Sequence, residues 1–295
     1  MTTPTLLDRL NKLDRRWIFL AMALAVAVPI LMQIGSDETP SPSTKRLFDK
    51  VEELPAGSRV VLAMDFDPNS SAELGPIALA FTRHCCLRHL KIYFLTLWGT
   101  GLPMIDGTIK SVVQAEFGRG DHPYVYGEDY VNLGYLAGYE VAINQLTSGI
   151  RNARSQDVAG TSLDALPVMR GVDSLKDMQL IINASGGYPG AKEWVQYAGT
   201  QSQIPVGAGC TGVQSTQMFP YYPDQLLGLV TGIRGANEYE SMLAAKYPDP
   251  YAQYSKRPAS LRSGPQRWAH RLMIGLILLG NAIHLANRMR RAVMP

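Results

Sequence analysis

The stretch VVLAMDFDPNSSAELGPIALAFTRHCCLRHLKIYFLTLWGTG, residues 60–101, decides the fold. VVLAM (60–64) is a short apolar run without polar alternation, the pattern of a strand covered on both faces. Residues 72–87 are long enough for a helix, and KIYFLTLW (91–98) returns to a strand. Strand, helix and strand in this order imply a parallel crossover, because parallel neighbours must be joined across a face of the sheet. The unit repeats outward. The pattern predicts a helix over 102–117, a shorter strand within YVYGEDYVNLGY (124–135) and a helix near 139–146. Beyond these it predicts strands at MQLIINA (178–184) and IPVGAG (204–209), with helices over 191–198 and 224–246. The expected fold class is α/β: a doubly wound, mainly parallel sheet, Rossmann-like or flavodoxin-like, over residues 45–248. Residues 151–174 fit neither periodicity. They read either as a surface loop or as a flexible excursion near a site or partner.

The ends of the chain have a different character. Residues 17–34, WIFLAMALAVAVPILMQI, carry no charge, and residues 268–285, WAHRLMIGLILLGNAIHL, form a second apolar run. A helix of about 18 residues is roughly 27 Å long, close to the hydrocarbon thickness of a bilayer. The sequence therefore predicts transmembrane helices over 17–34 and 268–287. A cleaved signal would need a shorter apolar region and a small-residue site, which does not follow the first run. Leu6, Leu7, Leu10 and Leu13, among charged residues, suggest an amphipathic surface stretch over 1–16. Residues 35–44 and 249–267 read as linkers, and 288–295 as a basic tail. Asn281 and His284 interrupt the second run and are expected to face protein rather than lipid. Arg9, Lys12, Arg15 and Arg16 precede the first run closely, which predicts cytoplasmic termini and an extracytoplasmic α/β domain, in a bacterial inner membrane.

Of the 295 residues 46% are hydrophobic and 18% charged, with net charge +3. The basic residues crowd the apolar ends, which argues against a nucleic-acid surface on the domain. Three cysteines, Cys85, Cys86 and Cys210, form no C-x-x-C spacing and no closed disulfide framework. No motif requires a cofactor or a metal.

Ligands of open parallel sheets bind beyond the carboxyl ends of the strands. Here those ends are rich in glycine and small polar residues: Asp65 and Asp67 after the first strand, Gly99, Thr100 and Gly101 after the second, Ser185, Gly186 and Gly187 in SGGYPG, and Gly209, Cys210, Thr211 and Gly212 in GAGCTG. These are the candidate ligand-binding residues, with ordinary turn chemistry as the alternative. No loop fits a phosphate-binding fingerprint in full. An apolar strand ending in Asp65-Phe66-Asp67 resembles the first motif of haloacid-dehalogenase-like phosphatases. That resemblance implies Asp65 as nucleophile, Asp67 as acid/base and Thr96 in the second motif, beside Mg²⁺. Pro68 and Asn69 depart from the motif, and the later lysine and acidic pair have no counterpart. Asp67 or Ser70 capping the next helix is the competing reading. Cys210 at a strand end is a candidate nucleophile only if His84, His89 or His122 lies beside it; burial is the default.

Phe219, Tyr221 and Tyr222 lie between prolines, and Gly228, Gly232 and Gly235 follow at helical spacing. Together with Asn281 and His284 they are the candidate interface residues. The expected function is an accessory or structural subunit of a larger membrane assembly. It would contact the membrane and other membrane-protein subunits or a second copy of itself. A membrane-tethered sensor of a small molecule and a metal-dependent phosphohydrolase are the alternatives.

Overall fold

Six strands form the sheet: β1 (Arg59–Asp65), β2 (Lys91–Thr96), β3 (Tyr130–Tyr135), β4 (Leu180–Ser185), β5 (Val206–Cys210) and β6 (Gly228–Thr231). All pairings are parallel, in the order β3-β2-β1-β4-β5-β6. This is the doubly wound order, with the reversal between β1 and β4. A computed structural model describes residues 14–120, 122–251 and 257–293. Residues 1–13 of the amphipathic stretch expected over 1–16 and the last two residues of the basic tail lie outside the described residues. The described chain forms two compact units, residues 37–251 and the helices at the two ends.

Within the α/β unit, helix α2 (Pro42–Glu53) precedes the sheet. Its N-cap is Ser41, whose side chain accepts a bond from the Thr44 amide. Four of the expected helices are present: α3 (Ser71–Leu87), α4 (Leu102–Thr108, continued as a π-turn through Gln114), α5 (Glu140–Ser148) and α6 (residues 191–202). α2, α3 and α8 (Gly232–Lys246) cover one face. There the His84 Nδ1 and the Tyr239 hydroxyl are 2.7 Å apart and the His84 Nε2 lies 2.9 Å from Glu52 Oε1, tying the three helices together. The other face carries an apolar cluster that includes the fully buried Trp194.

Four sequence expectations need correction. First, α2 takes in the last three residues of the stretch expected as linker, Pro42 to Thr44, because Ser41 and Pro42 supply a cap and a first-turn proline. Second, residues 224–246 are not one helix. Gly228–Thr231 is β6, and the helix begins only after Gly232 adopts a positive φ of 55°. Gly228 and Gly232 therefore do not share a helical stripe. A Cβ at Gly228 would sit 2.7 Å from both Leu47 Cβ and Ser43 O, so this glycine lets α2 lie against the edge strand. Third, residues 151–174 are no excursion. Leu163, Leu166, Val168, Met169 and Val172 are buried, and the Val168 carbonyl accepts the buried Tyr93 hydroxyl at 2.6 Å. Their apolar residues sit in 3₁₀ turns, which show neither a helix nor a strand period. Fourth, the sheet has six strands rather than five.

In the other unit, α1 (Arg15–Leu31) is capped by Asp14 and ends three residues before the expected Ile34, where Gln33 turns left-handed at φ 51°. α9 (Pro258–Val293) is 36 residues long. It takes in the second half of the expected linker and most of the basic tail, since proline suits a first turn. α1 packs along α9. Among the described residues α9 alone is long and apolar enough to cross a bilayer; α1 has 17 residues.

Gly228→Ala is expected to destabilise the full chain by about 1–3 kcal/mol through overpacking against α2. Gly107→Ala, in open space on α4, is expected to be neutral or to stabilise by about 0.5–1 kcal/mol. Urea unfolding of the two variants, read on the α/β unit, checks the pair.

Candidate functional site

Parallel pairing places the ends of β1, β4 and β5 in one row, with Asp65 opposite Ser185 and Ser185 opposite Cys210. The strand-end loops named from sequence therefore do meet at one edge. What they do there is fill it.

Asp65 is fully buried. Its Oδ1 accepts the Leu97 amide at 2.6 Å and, more weakly, the Thr96 hydroxyl at 3.4 Å. Its Oδ2 accepts the Trp194 indole N–H and the Asn183 amide, each at 2.7 Å. Burial pushes the carboxyl up to about 6 from an ordinary 3.8, against the pull of these four donors. Both oxygens are committed to protein donors. Asp67, two residues on, points the other way. It caps the following 3₁₀ turn, accepting the Ser70 amide at 2.9 Å, and that bond holds its carboxyl below the ordinary range. The two carboxylates thus serve different partners, Asp65 the buried donors and Asp67 the turn that follows it. Among the described residues no three His, Cys, Asp or Glu side chains gather as a metal centre requires. Thr96 serves the turn instead: its hydroxyl accepts the Trp98 amide at 3.0 Å.

The amides at the helix starts are also taken by the protein's own oxygens. Glu73 of α3 accepts the Gly212 amide at 2.9 Å. Glu193 accepts the Gly190 amide at 2.7 Å, and Ser185 accepts the Ala191 amide at 3.2 Å. Gln214, in the helix α7 (Gly212–Met218), bonds Ser185 Oγ at 2.8 Å and the Gly187 carbonyl at 2.9 Å. Thr211 caps α7 through the Gln214 amide. An anion arriving here would have to displace charged or hydroxyl groups already in place.

The glycines fit the same picture. A Cβ at Gly101 would lie 2.3 Å from Thr96 Oγ1, and one at Gly186 3.0 Å from Ser70 Oγ. Gly187 sits under the Trp98 ring, whose Nε1 donates to the Pro189 carbonyl at 2.7 Å. Gly209 is a packing glycine, since a Cβ there would meet Ile77 at 2.3 Å. Gly99 and Thr100 are exposed. Cys210 is buried, and burial pushes its thiol up to about 12, away from a nucleophilic thiolate. His84 is bound to Glu52 and Tyr239, while His89 and His122 lie together beside Glu128 and Asp129 in another cleft.

Of the interface candidates, Phe219 is 54% exposed, and Tyr221 and Tyr222 are half-buried. Tyr221 accepts a bond from Gln196 at 3.0 Å. Phe219 and Tyr222 line a groove of about 600 Å³ with Ser215, Thr231, Arg234 and Glu238. Asn281 and His284 are exposed on α9.

Sequence reasoning missed one exposed group on the same edge. Tyr139, between β3 and α5, holds φ 54° and ψ −117°, a conformation that a non-glycine residue rarely adopts. Its ring lies 5.6 Å from that of Tyr188, and the Tyr188 hydroxyl donates to Glu140 at 2.5 Å. Tyr139 is 48% exposed and Tyr188 61%, with Tyr135 and Val141 exposed beside them in sequence. No single residue in LAGYEV signals this. The pairing needs loops that are about 50 residues apart.

The geometry thus defines a doubly wound α/β domain whose strand-end loops are hydrogen-bonded to one another and whose edge carries exposed tyrosines. No family model and no curated protein matches the chain. Among solved structures it is similar to the α,α-trehalose 6-phosphate synthase of Burkholderia multivorans, at 11% identity and TM-score 0.31, over 90% of this chain and 50% of that one. It is likewise similar to a second trehalose-6-phosphate synthase, OtsA, at 10% identity and TM-score 0.29, over 84% of this chain and 48% of that one. The chain spans about half the length of these proteins, and likeness at this level bears on neither substrate nor site.

Asp65→Asn is expected to destabilise the full chain without separating activity from folding. An amide turns an N–H toward at least one buried donor, which costs about 1–3 kcal/mol. Because the folded carboxyl lies above its ordinary value, its protonation stabilises the fold below pH ~4 and that contribution fades as pH rises through ~6. The stability gap between wild type and Asp65→Asn should therefore narrow from pH 4 to pH 6.5. Unfolding midpoints across that range measure it, and a gap that widens would contradict the assignment.

Proposed function

We propose that this chain is a membrane-anchored accessory subunit whose α/β domain binds a protein partner through the tyrosine edge. The observation that carries the reading is the Tyr139–Tyr188–Glu140 group. The backbone at Tyr139 costs about 1–3 kcal/mol to hold in that conformation. Here the strain keeps a large ring at the surface, tilted at 50° against a second exposed ring. Aromatic side chains with a polar tip are enriched at protein interfaces. The self-filled strand ends favour this reading over a small-molecule crevice.

Anchoring rests on the two terminal helices. α1 exposes Trp17, Phe19, Leu20 and Leu24, and α9 exposes Ile274, Ile277, Leu278 and Leu279. Two paired helices with apolar outer surfaces suit lipid rather than water. Trp268 and Arg271, in cation–π contact at 5.7 Å, suit one interface, and Arg288 the other. In this reading both helices span the bilayer, the 17-residue α1 through local thinning of the lipid, both termini are cytoplasmic and the α/β domain is extracytoplasmic.

The tagged full chain, extracted from its native membrane in mild detergent, should run as an assembly with a defined companion protein. Tyr139→Ala combined with Tyr188→Ala should lose that companion at least tenfold while the unfolding midpoint is kept or raised. A chain that is free of companions from the start would sink the proposal.

A tethered ligand-binding domain is the second reading, favoured by the groove of about 600 Å³ where Phe219 and Tyr222 face Arg234. Small aromatic carboxylates should then raise the melting temperature of the full chain, and Arg234→Ala should abolish the rise. No shift across such a panel would remove this alternative.

A further inference from the structure

On α9, half-buried Pro265, Ala269, Leu272, Leu276 and Ile283 recur at steps of three, four and seven. They mark the face of the helix turned toward α1, which packs along it. At 100° per residue, Ile277, Asn281 and His284 fall about 80–140° around from Leu276. All three are exposed, and neither Asn281 nor His284 bonds a described residue. Asn281 lies ten residues past Arg271, or about 15 Å along the axis, which is near mid-bilayer if Arg271 marks an interface. In hydrocarbon an amide or imidazole without a partner costs several kcal/mol. The contact with α1 supplies none. The polar stripe is therefore incomplete in the single chain.

We propose that the stripe is completed by a second copy of this chain, through a parallel, two-fold contact between the α9 helices. This rests on the membrane reading above. Copies inserted by the same rule point the same way, so a two-fold axis along the bilayer normal brings each residue to its own equivalent at the same depth. Only residues that both donate and accept can satisfy themselves in such an arrangement. An asparagine amide does both, and so does a neutral imidazole. A lysine or a carboxylate at this depth would meet its own charge, whereas Asn281 and His284 meet complementary groups. Ile277, one turn before Asn281, supplies an apolar knob on the same stripe. Gly280 flanks it, and a Cβ there would meet nothing within 4 Å, so its side of the helix is open to a neighbour. Arg288 shares the stripe at the helix end, where its long side chain reaches the headgroups and avoids its equivalent. Interhelical hydrogen bonds of this type hold membrane helices together without a hydrophobic driving force.

The test is disulfide scanning of the full chain in native membranes, with single cysteines placed along residues 270–288. The native Cys85, Cys86 and Cys210 are buried, and wild type supplies the background. Dimer crosslinks should peak at Ile277→Cys, Asn281→Cys and His284→Cys, at least tenfold above Leu276→Cys and Ile283→Cys. Asn281→Leu combined with His284→Leu should abolish crosslinking at Ile277→Cys, and Asn281→Gln alone should keep it. A flat profile, a peak on the other faces, or crosslinks to a different protein would overturn the self-association. Extraction at alkaline pH separates the two layers of the argument. A chain released to the supernatant refutes the membrane anchor itself, whereas a retained chain without dimer crosslinks refutes only the pairing.

Discussion

Asp65 accepts a backbone amide from the end of β2, a side-chain amide from β4 and an indole N–H from α6, so its carboxylate is the point where three neighbouring segments meet. It sits on β1 beside β4, where the strand order reverses and the two halves of a doubly wound sheet would otherwise diverge. A buried charge is costly unless its lone pairs are satisfied. Here the donors come from three segments, the end of β2, β4 and α6, so the carboxylate is satisfied only when all three are in place. The fold around it inherits that condition. Trp194 can lie fully buried in the apolar cluster because its one polar atom has somewhere to go.

The strand-end loops follow from the same constraint. Glu73, Glu193, Ser185 and Gln214 take up the amides and carbonyls that an open crevice would leave for a ligand. The glycines there allow protein to approach protein. On the same edge Tyr139 and Tyr188 stay exposed, held by a strained backbone and a hydrogen bond to Glu140.

In the proposed membrane reading the terminal helices obey a different solvent. α9 carries one face against α1 and the remainder outward, mostly apolar, with Asn281 and His284 as the exceptions. In water those two residues would be unremarkable and the isoleucines and leucines around them the anomaly. In lipid the relation inverts, and the polar pair becomes the feature that must be explained.

The sequence by itself determined the alternation of strand and helix, the parallel sheet and the apolar character of both ends, because these depend on local period and run length. β6 escaped it. Four residues that begin with Gly228 and end before Gly232 are too few for a period, and the following helix absorbed them. The buried turns of 151–174 escaped for the related reason that 3₁₀ segments bury residues without either repeat. Asp65 was legible as a notable acid, and so was the edge on which it sits, since both follow from strand order. Its role was not. Whether a carboxylate at a strand end faces a ligand or three protein donors depends on Leu97, Asn183 and Trp194, which lie 32, 118 and 129 residues away in the chain. The same holds for the glycines and for the Tyr139–Tyr188 pair. A sequence states which residues are able to bond, but only the packed sheet decides which of them arrive first.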